Sequence, residues 1–173
     1  MTNRFSLLLA FAACLAGFVS PAALSAKDSL GVFSEWGSFR DQNVPRCYAI
    51  AKPQPPIRKK DIERIEYDAF ASVGTWPKRK IRNQLHLRLS RKMARNASIT
   101  LNVGGKRFAL NGGGGDAWGK DKAMDASIVA AMRSATSMAV TSTDTRGNRF
   151  FDQYVLKGAA TAIDAATLGC AER

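Results

Sequence analysis

Alternation of apolar and polar positions organises most of the chain beyond its first 26 residues. Leu85-His86-Leu87-Arg88-Leu89 alternates strictly, which predicts a strand with the leucines on a core and His86 and Arg88 facing away. Ile99-Thr100-Leu101-Asn102-Val103 repeats the pattern, and Gly104-Gly105 then turns the chain into Lys106 to Leu110, a hairpin signature. Shorter strands are predicted at Trp36 to Phe39 and Arg46 to Ala51, around a turn at Asp41 to Pro45, and at the aromatic, β-branched run Tyr67 to Trp76. Lys52 to Lys60 holds Pro53, Pro55 and Pro56 and reads as a loop.

From Asp116 the period changes. Met124, Ile128, Ala131, Met132 and Ala135 share one helical face, and Asp121 is placed to cap that helix. Strand signals return at Met138 to Ser142 and Arg149 to Leu156, joined through Asp144-Thr145-Arg146-Gly147-Asn148 as a second hairpin. The Ala-rich run Gly158 to Leu168 predicts a short terminal helix. Many short strands with one or two short helices give a mainly-β class, a sandwich or small barrel.

The first 26 residues follow another rule. Arg4 precedes an uncharged apolar run from Phe5 to Val19, and small residues lead to Ala23-Leu24-Ser25-Ala26 before Lys27 and Asp28. That order is a secretory signal, with cleavage expected after Ala26. The apolar core is roughly 15 residues, short of the ~20 that a membrane-spanning helix needs. Acylation at Cys14 is disfavoured by the bulky Phe11 three residues before it. The remaining residues, 27–173, are expected to form a single domain, periplasmic or secreted, with no later transmembrane segment.

Export changes the meaning of the cysteines. Cys47 and Cys170 are the two that remain, and in an oxidising compartment an isolated pair usually bridges. Closing so long a loop would stabilise the domain by about 4 kcal/mol through loop-closure entropy. Free buried thiols or a reactive cysteine are the alternatives, but the pair has neither Cys-x-x-Cys spacing nor a neighbouring histidine.

The formal net charge of +12 falls to +11 when Arg4 leaves with the signal. Its distribution is more telling: Ala69 to Gly115 holds ten Lys or Arg and no Asp or Glu. Lys78, Arg79, Lys80, Arg82, Arg88, Arg91, Lys92 and Arg95 are candidates for one anion-binding face, Lys106 and Arg107 being the other two cations of the stretch. Nucleic acid is the usual partner of such a stretch, yet an exported protein meets little of it. Anionic envelope components or an acidic protein fit better. A merely solvated face, or pairing to acids such as Glu63, Glu66 and Asp68, is the plainer reading.

Catalytic chemistry finds little footing. His86 is the single histidine and lies on the outward side of a strand. No His, Cys, Asp or Glu cluster has metal-ligand spacing, no Gly-x-Ser-x-Gly elbow occurs, and no cofactor motif is present. Asp116, Asp121 and Asp125 are explained by a helix start. Gly112 to Gly115 could offer backbone N–H groups to an anion, but it lacks the Lys-Ser/Thr of a phosphate loop and reads mainly as a flexible loop. Asn96-Ala97-Ser98 is a glycosylation acceptor in form only if the host is bacterial.

An ordered set of features resembles the invasion-associated locus B family of proteobacterial envelope proteins. It comprises Trp36-Gly37, Cys47-Tyr48, the strand Lys106-Arg107-Phe108-Ala109-Leu110, the helix-to-strand run from Ile128 through Arg133 to Val140, and Leu156-Lys157-Gly158 before the Ala-rich helix. The resemblance covers most of residues 30–170. It implies an immunoglobulin-like β-sandwich in the periplasm or at the outer membrane, without known enzymatic activity. Better-known members carry more cysteines in mid-domain, where this chain has Gly112 to Trp118. The resulting expectation is a non-catalytic binding or accessory module of the envelope. The alternative is an envelope enzyme acting on cell-wall or lipid substrates through residues that no motif marks.

Overall fold

The computed structural model describes residues 27–171; the signal-like segment 1–26, with its proposed cleavage site, lies outside the described residues. Ten strands dominate: β1 (Asp28–Phe33), β2 (Trp36–Asp41), β3 (Arg46–Ala51), β4 (Phe70–Trp76), β5 (Ile81–Arg88), β6 (Ile99–Val103), β7 (Lys106–Gly113), β8 (Asp116–Trp118), β9 (Ser137–Thr143) and β10 (Arg149–Val155). The helices are α1 (Lys59–Ile62), α2 (Lys122–Met132) and α3 (Ala159–Ala171). The mainly-β expectation holds, with three helices where one or two were expected. The extra one, α1, is a single turn inside the Pro-rich connection.

All pairings are antiparallel, in the order β1-β2-β3-β4-β5-β8-β7-β6-β9-β10. Strand β7 explains how one sheet encloses a core. Its first residues, Lys106–Leu110, pair with β6, and its last three, Asn111–Gly113, pair with β8. One strand thus links two half-sheets in a sandwich-like fold. Trp36, Leu85 and Leu87 from the first half share one buried cluster with Leu101, Val140 and Tyr154 from the second.

Register follows the alternation seen in sequence. Leu85, Leu87 and Leu89 are fully buried. Ala51, Ala71, Leu87 and Ala117 form one inward row across β3, β4, β5 and β8. The far edges meet where the Trp36 indole N–H donates to the Val155 carbonyl at 2.9 Å. Gln54 N–H donates to Gln153 O at 2.7 Å, so the Pro-rich loop covers part of edge strand β10.

Asp121 caps α2 as its sequence predicts, accepting from Met124 N–H at 2.8 Å. Ile128, Val129, Ala131 and Met132 then bury that helix against β5, β6 and β7. Helix α3 lies across β1 to β4 on Ile163 and on Ala159, Ala162 and Ala166, whose small side chains permit close approach. It follows Gly158, where φ is +88° and an added Cβ would strike the Phe33 carbonyl, so only glycine fits. Arg133, at the end of α2, forks onto both carboxylate oxygens of Asp164 in α3 and ties the helices together.

Candidate functional site

The eight candidate cations do not share one face. Lys78, Arg79 and Lys80 sit on a 3-10 turn and its cap between β4 and β5, all exposed, with exposed Arg82 just beyond. Among the described residues these four make no ion pair. Strand β5 then runs for eight residues, roughly 25 Å, before Lys92 and Arg95 emerge. Those two are exposed but lie past the far end, where Ala94 N–H bonds to Thr143 O of the other half-sheet.

Arg88 and Arg91 are occupied by acids. Arg88 binds Asp116 and lies 3.8 Å over the Tyr67 ring. Arg91 is 3% exposed and reaches Asp61 at 3.1 Å and Asp144 at 3.4 Å. Asp61 is held below the usual carboxylate range, chiefly by its hydrogen bond from Arg91. Burial pushes Asp144 up, but the N–H groups of Asn148 and Arg146, with the Asn148 and Arg91 side chains, outweigh it and hold the group down. Glu63, Glu66 and Asp68, the acids nearest in sequence, are not the partners of Arg88 or Arg91. Asp61 and Asp144 reach Arg91 from a helical turn and a hairpin, and no sequence spacing announces that meeting.

The lysine-rich turn also has neighbours that sequence reasoning missed. A cleft of roughly 220 Å³ beside it includes Arg40, Arg46, Pro77, Lys78 and Cys170. Arg40 donates to Gly169 O near the end of α3, and Arg46 stacks 4.6 Å over Tyr48 while facing Asp41 at 3.7 Å. The Cys47–Cys170 disulfide closes this end, with the two Cα atoms 5.8 Å apart. Arg40 and Arg46 come from another hairpin, so only the folded sheet adds them to the basic end.

His86 lies on the outer sheet face, its Nε2 2.9 Å from Asp116 Oδ1, its ring stacked on Trp118 at 5.2 Å and meeting Phe70 edge-on at 5.3 Å. The other oxygen of Asp116 accepts from Arg88. Asp116 therefore belongs to β8 and anchors two β5 side chains; it is not part of the α2 start. Ser72 pairs with His86 in register, yet no hydrogen bond joins their side chains among the described residues. The arrangement orders an aromatic surface of Phe70, His86 and Trp118 on the outer sheet face.

Gly112 and Gly113 end β7, paired with β8, and Gly114 and Gly115 make the tight turn between the two strands, so the run is not a loose loop. A Cβ at Gly112 would strike Asp116 O, and one at Gly115 would strike the Tyr67 ring. The carbonyls of Gly114 and Gly115 accept from Met93 and Leu89 at 2.6 and 2.8 Å. Neighbours crowd Gly112 and Gly115, Gly114 takes a positive φ of 65°, and the run does not lead into the α2 N-terminus.

Asp125 supplies a pH probe. It is buried against Gly119 and accepts from Leu85 N–H at 3.2 Å; desolvation raises its pKa above 3.8. A raised folded pKa makes ionised Asp125 a burden at neutral pH, relieved as pH falls through that value toward 3.8. Asp125→Asn, which keeps the acceptor, is expected to raise the urea midpoint at pH 7, with the gain shrinking in acid. An equal gain at every pH would show that the charge is not its origin.

No protein-family model, curated protein or solved structure matches this chain. The fold and the site define a disulfide-closed, mainly-β domain with a compact basic turn at its stapled end.

Proposed function

We propose that this chain is an exported, non-catalytic binding or accessory module of the cell envelope, of the invasion-associated locus B type. On this reading residues 1–26 are a cleaved signal and the domain works in the periplasm or outside the cell. The observation that carries the binding role is the exposed turn Lys78, Arg79, Lys80 and Arg82, four cations without an acidic partner among the described residues. An unneutralised cluster of this kind attracts anionic groups over a Debye length, and phosphate-bearing lipid headgroups are the partner it fits. The disulfide supports the address, since such bonds persist in oxidising compartments. Lys92 and Arg95 lie outside this turn, while Arg88 and Arg91 serve the structure.

The test is cosedimentation of residues 27–173 with phosphatidylcholine vesicles, with and without phosphatidylglycerol. Binding is expected only to the anionic vesicles, and about 1 M salt, where screening falls to ~3 Å, should abolish it. The triple variant Lys78→Glu, Arg79→Glu, Lys80→Glu should remain in the supernatant. Equal retention of that variant at low salt refutes the reading.

A further inference from the structure

The second half-sheet carries a different surface on its outer face. Across β7, β6, β9 and β10, Asn102 pairs with Arg107, Thr100 with Thr141, Thr141 with Phe151, and Thr143 with Arg149. Directly paired residues project to the same side of an antiparallel sheet. The opposite side is closed, because Leu101, Val103, Val140 and Phe150 fill the core. The exposed side is concave, with a cavity of roughly 430 Å³, and among the described residues no Asp or Glu lines it.

Its chemistry is uniform. Thr100, Thr141 and Thr143 supply hydroxyls. Asn102 Oδ1 accepts from Gly105 N–H at 3.0 Å, which turns the amide toward a donor role. Arg107 and Arg149 are exposed, and their side chains make no ion pair or hydrogen bond among the described residues. They stand on strands three apart, about 14 Å across the sheet, so they flank the hydroxyl floor from opposite corners. Phe151, 59% exposed on edge strand β10, does not line the concavity but pairs in register with Thr141, which does, so its bare ring stands next to it.

Hydroxyls and amides pair with sugar hydroxyls, an exposed aromatic ring covers the apolar face of a pyranose, and guanidinium groups take carboxylate or phosphate in forked geometry. We propose that this concavity is a binding site for a short acidic glycan, sugar rings over Thr100, Thr141 and Phe151 and acidic groups at Arg107 and Arg149. It is separate from the Lys78–Arg82 turn and does not depend on the role proposed for that turn.

Amide chemical shifts of residues 27–173 would be followed at low salt against trigalacturonate, glucose 6-phosphate, maltotriose and inorganic phosphate. Saturable shifts around Thr100, Thr141 and Phe151 are expected with one of the two acidic sugars, and which one responds separates carboxylate from phosphate as the acid recognised. Arg107→Gln and Arg149→Gln, both surface changes on intact strands, should each weaken that binding about tenfold. Phe151→Ala should weaken it several-fold, and the Lys78–Lys80 reversal should leave it unchanged. Three results overturn the proposal: neither acidic sugar binds, maltotriose binds as tightly, or inorganic phosphate alone matches them. Unaltered affinity in a folded Arg107→Gln, Arg149→Gln double variant, checked by circular dichroism, does so as well.

Discussion

Replacing both cysteines, Cys47→Ala with Cys170→Ala, is expected to destabilise the domain by about 4–5 kcal/mol and to lower its Tm by roughly 10–15 °C. The reason lies in sequence distance. The bond joins residues 123 positions apart, so it removes a large share of the unfolded chain's freedom. It also pins α3 where other attachments are thin. Half of the residues that helix buries are alanines, and its side-chain polar ties to the rest of the domain, among the described residues, are Arg133–Asp164, Arg40 to Gly169 O, and Thr167 to Asn83. Cys47 and Cys170 sit with Ala166 and Leu30 in a small cluster apart from the main core. Urea unfolding of the double variant and of the reduced wild type should give matching midpoints, both well below that of the oxidised protein. A midpoint unchanged by either treatment would mean that α3 holds by its alanine face alone.

Arg91→Met carries the second large effect, a loss of about 3 kcal/mol, although the new side chain is apolar and of similar length. Removing the guanidinium leaves Asp144, 2% exposed, without its cationic partner in a poorly solvated place. The same change breaks the link to Asp61 and takes a cation from over the Phe150 ring, 5.5 Å away. Asp61 and Asp144 have folded pKa values below 3.8, so the stability they confer is present above pH 3.8 and is lost as pH falls through those values. The difference between Arg91→Met and wild type, read as urea midpoints, should therefore be large at pH 7 and narrow in strong acid. Lys92→Met, one residue along and exposed, is the control and should leave the midpoint near wild type.

The two arginines show how a charge count misleads. Ala69 to Gly115 contains no acid, so every cation in it looks free in sequence. Asp116 follows directly after that stretch and reaches Arg88 because β8 pairs with β5. Asp144 meets Arg91 because the segment after β5 runs alongside the β9–β10 hairpin, where Met93 bridges to Asp144. Strand β8 itself was hidden, being three residues long and preceded by glycines. Strand β1 was hidden by Gly31, which sits at a register shift with φ +136°. The hydroxyl floor flanked by Arg107 and Arg149 escaped for a related reason: its parts lie on four strands, each of which reads alone as an ordinary polar edge.

Local features were legible in the linear chain. Alternation placed Leu85, Leu87 and Leu89 inside, Asp121 announced the start of α2, and the two cysteines beyond residue 26 made a bridge the natural pairing. Each of these depends on neighbours within a few residues or on simple counting, which a linear pattern records. Three-dimensional pairing settles which cations stay free, that Gly112 and Gly115 pack closely against neighbours, and that Thr100, Thr141 and two distant arginines share one concave face. Those outcomes depend on which strands become neighbours, and that is set by burial of the whole core rather than by any local segment.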